Sequence, residues 1–353
     1  MREFVDLATV VESAYKMRAS DIHLVAGIPI KFRIDGKLVS FTDRPLSESE
    51  CEAYARMISN NYESVANIGE QDLATSFPCG VRCRVNMFRQ QSYISIAMRL
   101  LNDHIPEFEE LGLPNVVKSF ANFKQGIVLV TGETGSGKST TLASLLNIIN
   151  HSQQKHIITL EDPIEYIYTP DRCVINQREV GQDTRSYSDG LKAILREDPD
   201  IILIGEMRHL ETIETALIAA ETGHLVFATL HTNSAADAID RIVDVFPTSQ
   251  QAQIRMQLSM TIQAVLCQQL LPRASGFGRV LATEVMIANG AIRNLIREGK
   301  TPQISNSIAT SGAEGGMLMD TSIIKLYKDH KITNTAAVTA AHDQEYVQRS
   351  ILF

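Results

Sequence analysis

Eight consecutive residues constrain this chain more than any other stretch: Gly132-Glu133-Thr134-Gly135-Ser136-Gly137-Lys138-Ser139. They fit G-x-x-x-x-G-K-[ST], the phosphate-cradling P-loop, which works only between a buried strand and a helix. Both neighbours are legible. Gly126-Ile127-Val128-Leu129-Val130-Thr131 reads as a buried strand, and Thr140 to Ile149 reads as a helix. Glycines let the backbone wrap a phosphate, while successive N–H groups and the helix N-terminus supply donors and positive potential. In such a loop Lys138 reaches the β- and γ-phosphates and Ser139 holds Mg²⁺. A chance glycine-rich turn is the bland alternative, and the strand and helix on either side count against it.

At 353 residues the chain has room for two domains with substantial cores. Its 33 basic and 41 acidic side chains leave a net charge of −8, so bulk electrostatics gives no support to a nucleic-acid partner. Cys51, Cys79, Cys83, Cys173 and Cys267 form no C-x-x-C pair and read as free thiols of a reducing cytoplasm. Met1 to Asp6 lacks the apolar core of a signal peptide, and no run approaches the length of a membrane span. The expectation is a soluble protein whose association with any membrane goes through partners.

Taken in order, residues 1 to about 18 predict an amphipathic helix with Phe4, Leu7, Ala8, Val11 and Tyr15 on one face. Strand-like segments follow at Ala19–Leu24, Ile28–Ile34 and Lys37–Val39, the last two flanking the hairpin signal Asp35-Gly36. Ser47 with Glu50 three residues on predicts a capped helix to about Ser59. Val81–Arg89 and Tyr93–Arg99 predict two more strands, completing a small α+β domain over 1–100. The polar stretch 101–114, with Pro106 and Pro114, reads as a linker. From 115 to 353 strands alternate with helices, the mark of a parallel sheet, with strands at 126–131, 156–160, 201–204, 225–230 and 280–287. From about 290 the chain reads as helical to its end.

Candidate chemistry collects at the ends of these strands, where open α/β sheets bind their ligands. The strand His156–Leu160 ends in Glu161, Asp162 and, three residues later, Glu165. An enzyme that hydrolyses a nucleotide needs a carboxylate there to position or deprotonate water. Ile201–Ile204 is followed by Gly205-Glu206; Gly205 stands where many P-loop proteins carry Asp, leaving Glu206 as the acid. The strand Leu225–Leu230 ends in His231, placed to sense a γ-phosphate, whereas His224 at the opposite edge reads as structural. Arg82, Arg84 and Arg99 on the small domain, and Arg178, Arg185 and Arg196 after the acidic loop, are the guanidinium groups available to phosphate. Alternation puts Arg82 and Arg84 on one strand face.

These motifs resemble those of the type IV pilus retraction ATPases (PilT-like) within the secretion ATPase superfamily. Gly132 to Thr140 is similar to the family's Walker A, Thr159 to Tyr166 to its Asp box, Arg196 to Arg208 to its Walker B region and Thr222 to Ala235 to its His box. Ala291-Ile292-Arg293-Asn294-Leu295-Ile296-Arg297-Glu298-Gly299-Lys300 resembles the segment associated with retraction. The resemblance implies an α/β protein with a PAS-like N-terminal domain and a RecA-like ATPase core. It implies a homo-hexameric ring that hydrolyses ATP with Mg²⁺ and removes pilin at the pilus base. Such a ring docks on the inner-membrane platform protein, at the cytoplasmic face of the membrane. Carried over by motif, Gly132, Glu133, Thr134, Gly135, Ser136, Gly137, Lys138, Ser139 and Thr140 bind nucleotide, and Ser139 and Glu206 hold Mg²⁺, the latter through water. Glu165 resembles the catalytic glutamate, His231 the His-box residue, and Arg84 and Arg99 the N-domain arginines that reach the γ-phosphate. Glu133 departs from the family's usual Pro at a variable position.

Extension and type II secretion ATPases are the near alternative, but they typically carry a longer N-terminal region and a tetracysteine zinc insert. An accessory retraction ATPase is nearer still. A P-loop kinase would need an acceptor site and lid, which nothing here specifies, and a non-hydrolysing scaffold would lack Glu165 and Glu206.

Overall fold

The computed structural model describes residues 5–34, 36–59, 65, 67–101 and 104–352. The chain divides into two compact units, one comprising residues up to His104 together with Pro163–Ile167, the other Ile105–Asp162 with Tyr168 onward.

In the first unit six strands form an antiparallel sheet in the order β3-β2-β1-β6-β5-β4. They are β1 (Asp21–Leu24), β2 (Lys31–Ile34), β3 (Lys37–Ser40), β4 (Glu70–Ser76), β5 (Arg82–Gln90) and β6 (Tyr93–Leu100). Ile34 pairs with Lys37 across the hairpin, and Gly36 there takes φ of 80°; Asp35 lies outside the described residues. The helix Glu48–Ile58 starts in a complete capping box, with Ser47 and Glu50 each satisfying the other's backbone N–H. The helix Leu7–Lys16 is capped by Asp6 and buries Leu7, Val10, Val11 and Ala14. Its inward face is therefore turned from the one expected: Val10 and Ala14 complete the i, i+3, i+4, i+7 stripe, Tyr15 is exposed and Phe4 is outside the described residues. β4 had no counterpart in the sequence reading. Its Glu-Gln-Asp-Leu-Ala-Thr-Ser is polar because it is an edge strand without a fully buried face.

The second unit is built on a seven-stranded sheet in the order β13-β12-β7-β11-β10-β8-β9. Its strands are β7 (Gly126–Thr131), β8 (His156–Glu161), β9 (Val174–Glu179), β10 (Ile201–Ile204), β11 (Leu225–Leu230), β12 (Ile262–Pro272) and β13 (Arg279–Ile287). All neighbours pair in parallel except β12 with β13. β7, β10 and β11 are buried at every residue, which explains their largely apolar sequences, interrupted only by the buried Thr131 and Thr229. The expectation of a parallel strand at 280–287 is corrected: β13 is the antiparallel edge partner of β12. β12 itself was not anticipated, because the helix Thr248–Thr261 passes into Ile262 without an intervening loop or turn residue. β9 was missed for the same reason as β4, its polar Val-Ile-Asn-Gln-Arg-Glu lying at a sheet edge. Beyond β13 come the helices Gly290–Arg297, Ile304–Thr310, Met319–Lys328, Asn334–Ala340 and Gln344–Leu352. No described helix is long and apolar enough to cross a membrane.

Candidate nucleotide-binding site

The parallel strands deliver their C-terminal ends to one edge of the second sheet. Leu230 lies beside Thr131, Ala228 beside Ile204, and Ile204 beside Leu160. The segments beginning at Gly132, Asp162, Gly205 and His231 leave the sheet there together.

The loop after β7 has the conformation its glycines imply. Gly132 takes φ of 138°, and a Cβ there would stand 2.3 Å from the Gln268 carbonyl oxygen and 2.7 Å from Ser136 Oγ. Any side chain would thus collide with backbone. Gly137 is left-handed at φ 93° and precedes the first residue of the helix Lys138–Ser152. The Lys138 ammonium is folded into the loop, donating to the carbonyl oxygens of Gly132 at 2.7 Å and Glu133 at 3.0 Å. Ser136 Oγ is buried without a hydrogen-bond partner. A buried hydroxyl left so carries a desolvation cost that a bound acceptor would remove, and it sits among backbone N–H groups at a helix start. These features fit a phosphate. Gln268, on the unanticipated β12, adds a brace by donating to Thr141 Oγ1 at 2.8 Å; its only sequence trace is a polar residue within an apolar run.

Glu206 and His231, on loops after neighbouring strands, meet: His231 Nε2 lies 3.1 Å from Glu206 Oε1, and Arg208 Nε donates to the same oxygen. Thr134, Glu206, Arg208, His231, Thr232 and Arg241 line an open cleft of about 700 Å³. P-loop, acid and histidine thereby share one cavity. Gly205 is explained by its surroundings. A Cβ there would stand 2.9 Å from Tyr187 Oη, 3.2 Å from the Leu160 carbonyl oxygen and 3.3 Å from Glu161 Cα. An Asp in its place would have to displace the Tyr187 hydroxyl and press on the backbone of Leu160 and Glu161. Burial, reinforced by Asp162, Glu206 and Glu161, pushes the Tyr187 phenol well above its ordinary value, so it remains protonated.

Of the carboxylates following β8, Glu161 accepts hydrogen bonds from Thr159 Oγ1 at 2.7 Å and Gln177 Nε2 at 3.4 Å. Asp162 is exposed, and Glu165 is half-buried in the segment Pro163–Ile167 that belongs to the first compact unit. In that unit Arg84 is exposed and Arg82 half-buried on one face of β5, while Cys83, Val85 and Met87 are buried on the other. Arg84 stands directly opposite Arg99 of β6. Arg99 Nε also donates to Asp21 Oδ1 at 2.9 Å. Burial draws the Asp21 carboxyl upward, but Ser20 and Arg99 together hold it below its usual value.

The remaining residues singled out in the sequence lie apart from this cavity. His224 Nδ1 donates to the Ala219 carbonyl oxygen at 2.9 Å, closing the C-terminal end of the helix Leu210–Glu221. Arg178 is paired with Glu197 at 2.8 Å, and Arg185 and Arg196 are exposed. In the segment 291–300, Ile292 and Ile296 are buried, Leu295 is half-buried and Ala291, Asn294 and Glu298 face outward. Arg293 pins the helix Gly290–Arg297 in place, donating to the carbonyl oxygens of Ser259 at 2.9 Å and Met260 at 3.0 Å.

Comparison with known proteins places these features in a family. The family model described as "Type II/IV secretion system protein" matches residues 3–348. The type IV pilus retraction ATPase PilT of Pseudomonas aeruginosa is 45% identical over 318 residues, covering 90% of this chain and 92% of that protein. The uncharacterized protein YggR of Escherichia coli is 43% identical over 316 residues, covering 89% and 95%. Among solved structures, a crystal structure of the pilus retraction motor PilT with bound ADP superposes with a TM-score of 0.92 at 46% identity, covering 98% of this chain and 99% of that one.

Proposed function

The chain belongs to the type II/IV secretion system protein family, and from that membership we propose that it is a Mg²⁺-dependent ATPase motor that retracts type IV pili. The observation that carries this reading is the shared cavity. A P-loop built around Gly132 and Lys138 lies with a Glu206–His231 pair at adjacent strand ends, in a chain 45% identical to a retraction ATPase across nearly its whole length.

In this reading the loop Gly132–Thr140 holds the phosphates of ATP through its N–H groups, with Lys138 leaving its carbonyl partners for the β- and γ-phosphate oxygens. Mg²⁺ supplies charge neutralisation between those phosphates; Ser139 and, through water, Glu206 are the groups that would hold it. Glu165 positions the attacking water and takes its proton. Arg84 and Arg99 supply positive charge to the γ-phosphate as bonds change. His231 carries the state of the phosphate site onward through Glu206. The working form is a homo-hexameric ring of chains, each with a PAS-like domain at 1–100, a linker at 101–114 and an ATPase domain at 115–353. The ring acts in the cytoplasm at the inner face of the membrane, on the pilus base and its platform protein, with no nucleic-acid partner.

The reading is tested by measuring ATP hydrolysis of the purified chain with and without Mg²⁺, and pilus retraction in a strain lacking its own retraction motor. Hydrolysis that needs Mg²⁺ together with restored retraction supports it. Hydrolysis without retraction assigns the chain to an accessory, extension or secretion role in the same superfamily.

A further inference from the structure

A carboxylate outside the residues assigned above is buried at the junction of three elements. Glu284, on β13, is only 3% exposed. Its Oε1 accepts from the backbone N–H of Ala235 at 2.8 Å, and its Oε2 from that of Met319 at 3.4 Å. Ala235 and Met319 are the first residues of the helices Ala235–Asp244 and Met319–Lys328. Each therefore offers an N–H with no partner inside its own helix. The carboxylate sits at the positive ends of two helix dipoles, where negative charge is favoured. Cys267 Sγ approaches it at 4.0 Å, and Cys267 lies beside Thr131, the residue before the P-loop.

Ala235 stands four residues after His231. The intervening segment is anchored at one end by β11, which ends at Leu230, and at the other by the start of the helix Ala235–Asp244. Ser234 caps that helix by accepting from Asp237 N–H, which leaves the Ala235 N–H to Glu284. Farther along the same helix, Asp240 Oδ2 accepts from Thr301 Oγ1 at 3.0 Å, immediately after the segment 291–300. The C-terminal side is held just as firmly. Val285 and Met317 exchange backbone hydrogen bonds at 2.8 and 3.0 Å, and Asp320 accepts from the N–H groups of His342 and Asp343.

We propose that Glu284 is a positioning residue for hydrolysis: by holding the first turn of the helix Ala235–Asp244 it sets where His231 stands against Glu206, and it ties that placement to the C-terminal helices. This rests on the reading that the His231–Glu206 pair serves hydrolysis. A carboxylate is suited to the task because its two separate oxygens each accept from one helix start, and its negative charge is favoured at both helix N-termini. Burial pushes the Glu284 carboxyl up, and the two N–H donors and His342 work against that rise.

A double-mutant cycle in the full-length protein separates positioning from simple support of the fold. Hydrolysis is measured for Glu284→Ala, His231→Ala and the double variant, together with equilibrium binding of a fluorescent ATP analogue. Glu284→Ala is expected to lower kcat about tenfold or more, with KM and analogue affinity within about twofold, and the double variant should be no slower than His231→Ala alone. Glu284→Gln, which keeps an oxygen acceptor and the same shape, should recover most of the loss. Losses that multiply in the double variant, or an unchanged kcat in Glu284→Ala, overturn the proposal. If His231→Ala itself hydrolyses normally, the reading of the His231–Glu206 pair fails instead, and the proposal falls with it. Should Glu284→Ala not fold, Glu284→Met, which fills the space and removes both acceptor oxygens, takes its place in the cycle, and the same two outcomes then decide.

Discussion

Arg84 and Arg99 stand directly opposite each other on β5 and β6, both exposed, with Asp21 paired to Arg99. Like charges at cross-strand positions are unfavourable by about 0.2–1 kcal/mol. In the proposed mechanism these two guanidinium groups serve the γ-phosphate. Replacing Arg84 by Ala removes the repulsion and leaves the Asp21–Arg99 pair intact. The expected outcome is a melting temperature unchanged or slightly raised, with hydrolysis reduced by about tenfold or more. A lower melting temperature with undiminished hydrolysis would make the pair ordinary surface charge.

Gly205 answers a question the sequence raised and left unsolved. The missing Asp at this strand end looked like a departure from the P-loop pattern, and the structure shows Tyr187 and the backbone of Leu160 occupying the space. Gly205→Ala should destabilise the protein by about 1–3 kcal/mol in urea unfolding. Adding Tyr187→Phe should restore only part of this, because the Leu160 carbonyl oxygen stays at 3.2 Å. Full restoration would place the whole cost on the tyrosine hydroxyl.

The capping box of the first unit gives a pH signature. Arg44 beside Glu50, aided by Ser47, lowers the Glu50 carboxyl from 4.5 to about 2. A folded value below the unfolded one stabilises the native state above about pH 4.5, and that contribution disappears as pH falls towards 2. The stability difference between the wild type and Arg44→Ala should therefore be largest above pH 4.5 and shrink on acidification. A difference independent of pH would mean that Arg44 acts by packing alone.

Ala291 is exposed on the helix Gly290–Arg297, whereas Leu295 is half-buried and packs on the core. Replacing Ala291 by a larger polar residue should leave basal hydrolysis within about twofold, as expected for a surface change, and abolish pilus retraction. Leu295→Ala should also lower stability, so Ala291 is the cleaner probe. Equal loss of hydrolysis and retraction in the Ala291 variant would make the segment merely structural.

What the sequence disclosed follows from where the signal lies. The P-loop was legible because its glycines answer local backbone demands, and β7, β10 and β11 because strands buried on both faces are mostly apolar. His224, read as structural from the sheet edge it occupies, donates to the Ala219 carbonyl oxygen there. β4 and β9 were illegible because edge strands keep polar side chains, and β12 because no turn residue separates it from the preceding helix. The turned face of the first helix reflects Val10 and Ala14, whose small side chains weigh less in a pattern than Tyr15 but fit inside. Gln268 and Glu284 were missed for a further reason. Their partners, Thr141, Ala235 and Met319, are distant in sequence, and they are brought together by tertiary contacts such as the pairing of β12 with β7 and β13 and the Val285–Met317 bridge.

Retraction driven by hydrolysis is the central claim, and Glu165 tests it most directly. In a strain lacking its own retraction motor, the wild-type chain and Glu165→Gln are expressed at equal levels and the fraction of pili that retract is counted. The wild type should restore retraction and Glu165→Gln should not, although purified Glu165→Gln still binds ATP. Retraction restored equally by both proteins would contradict the account.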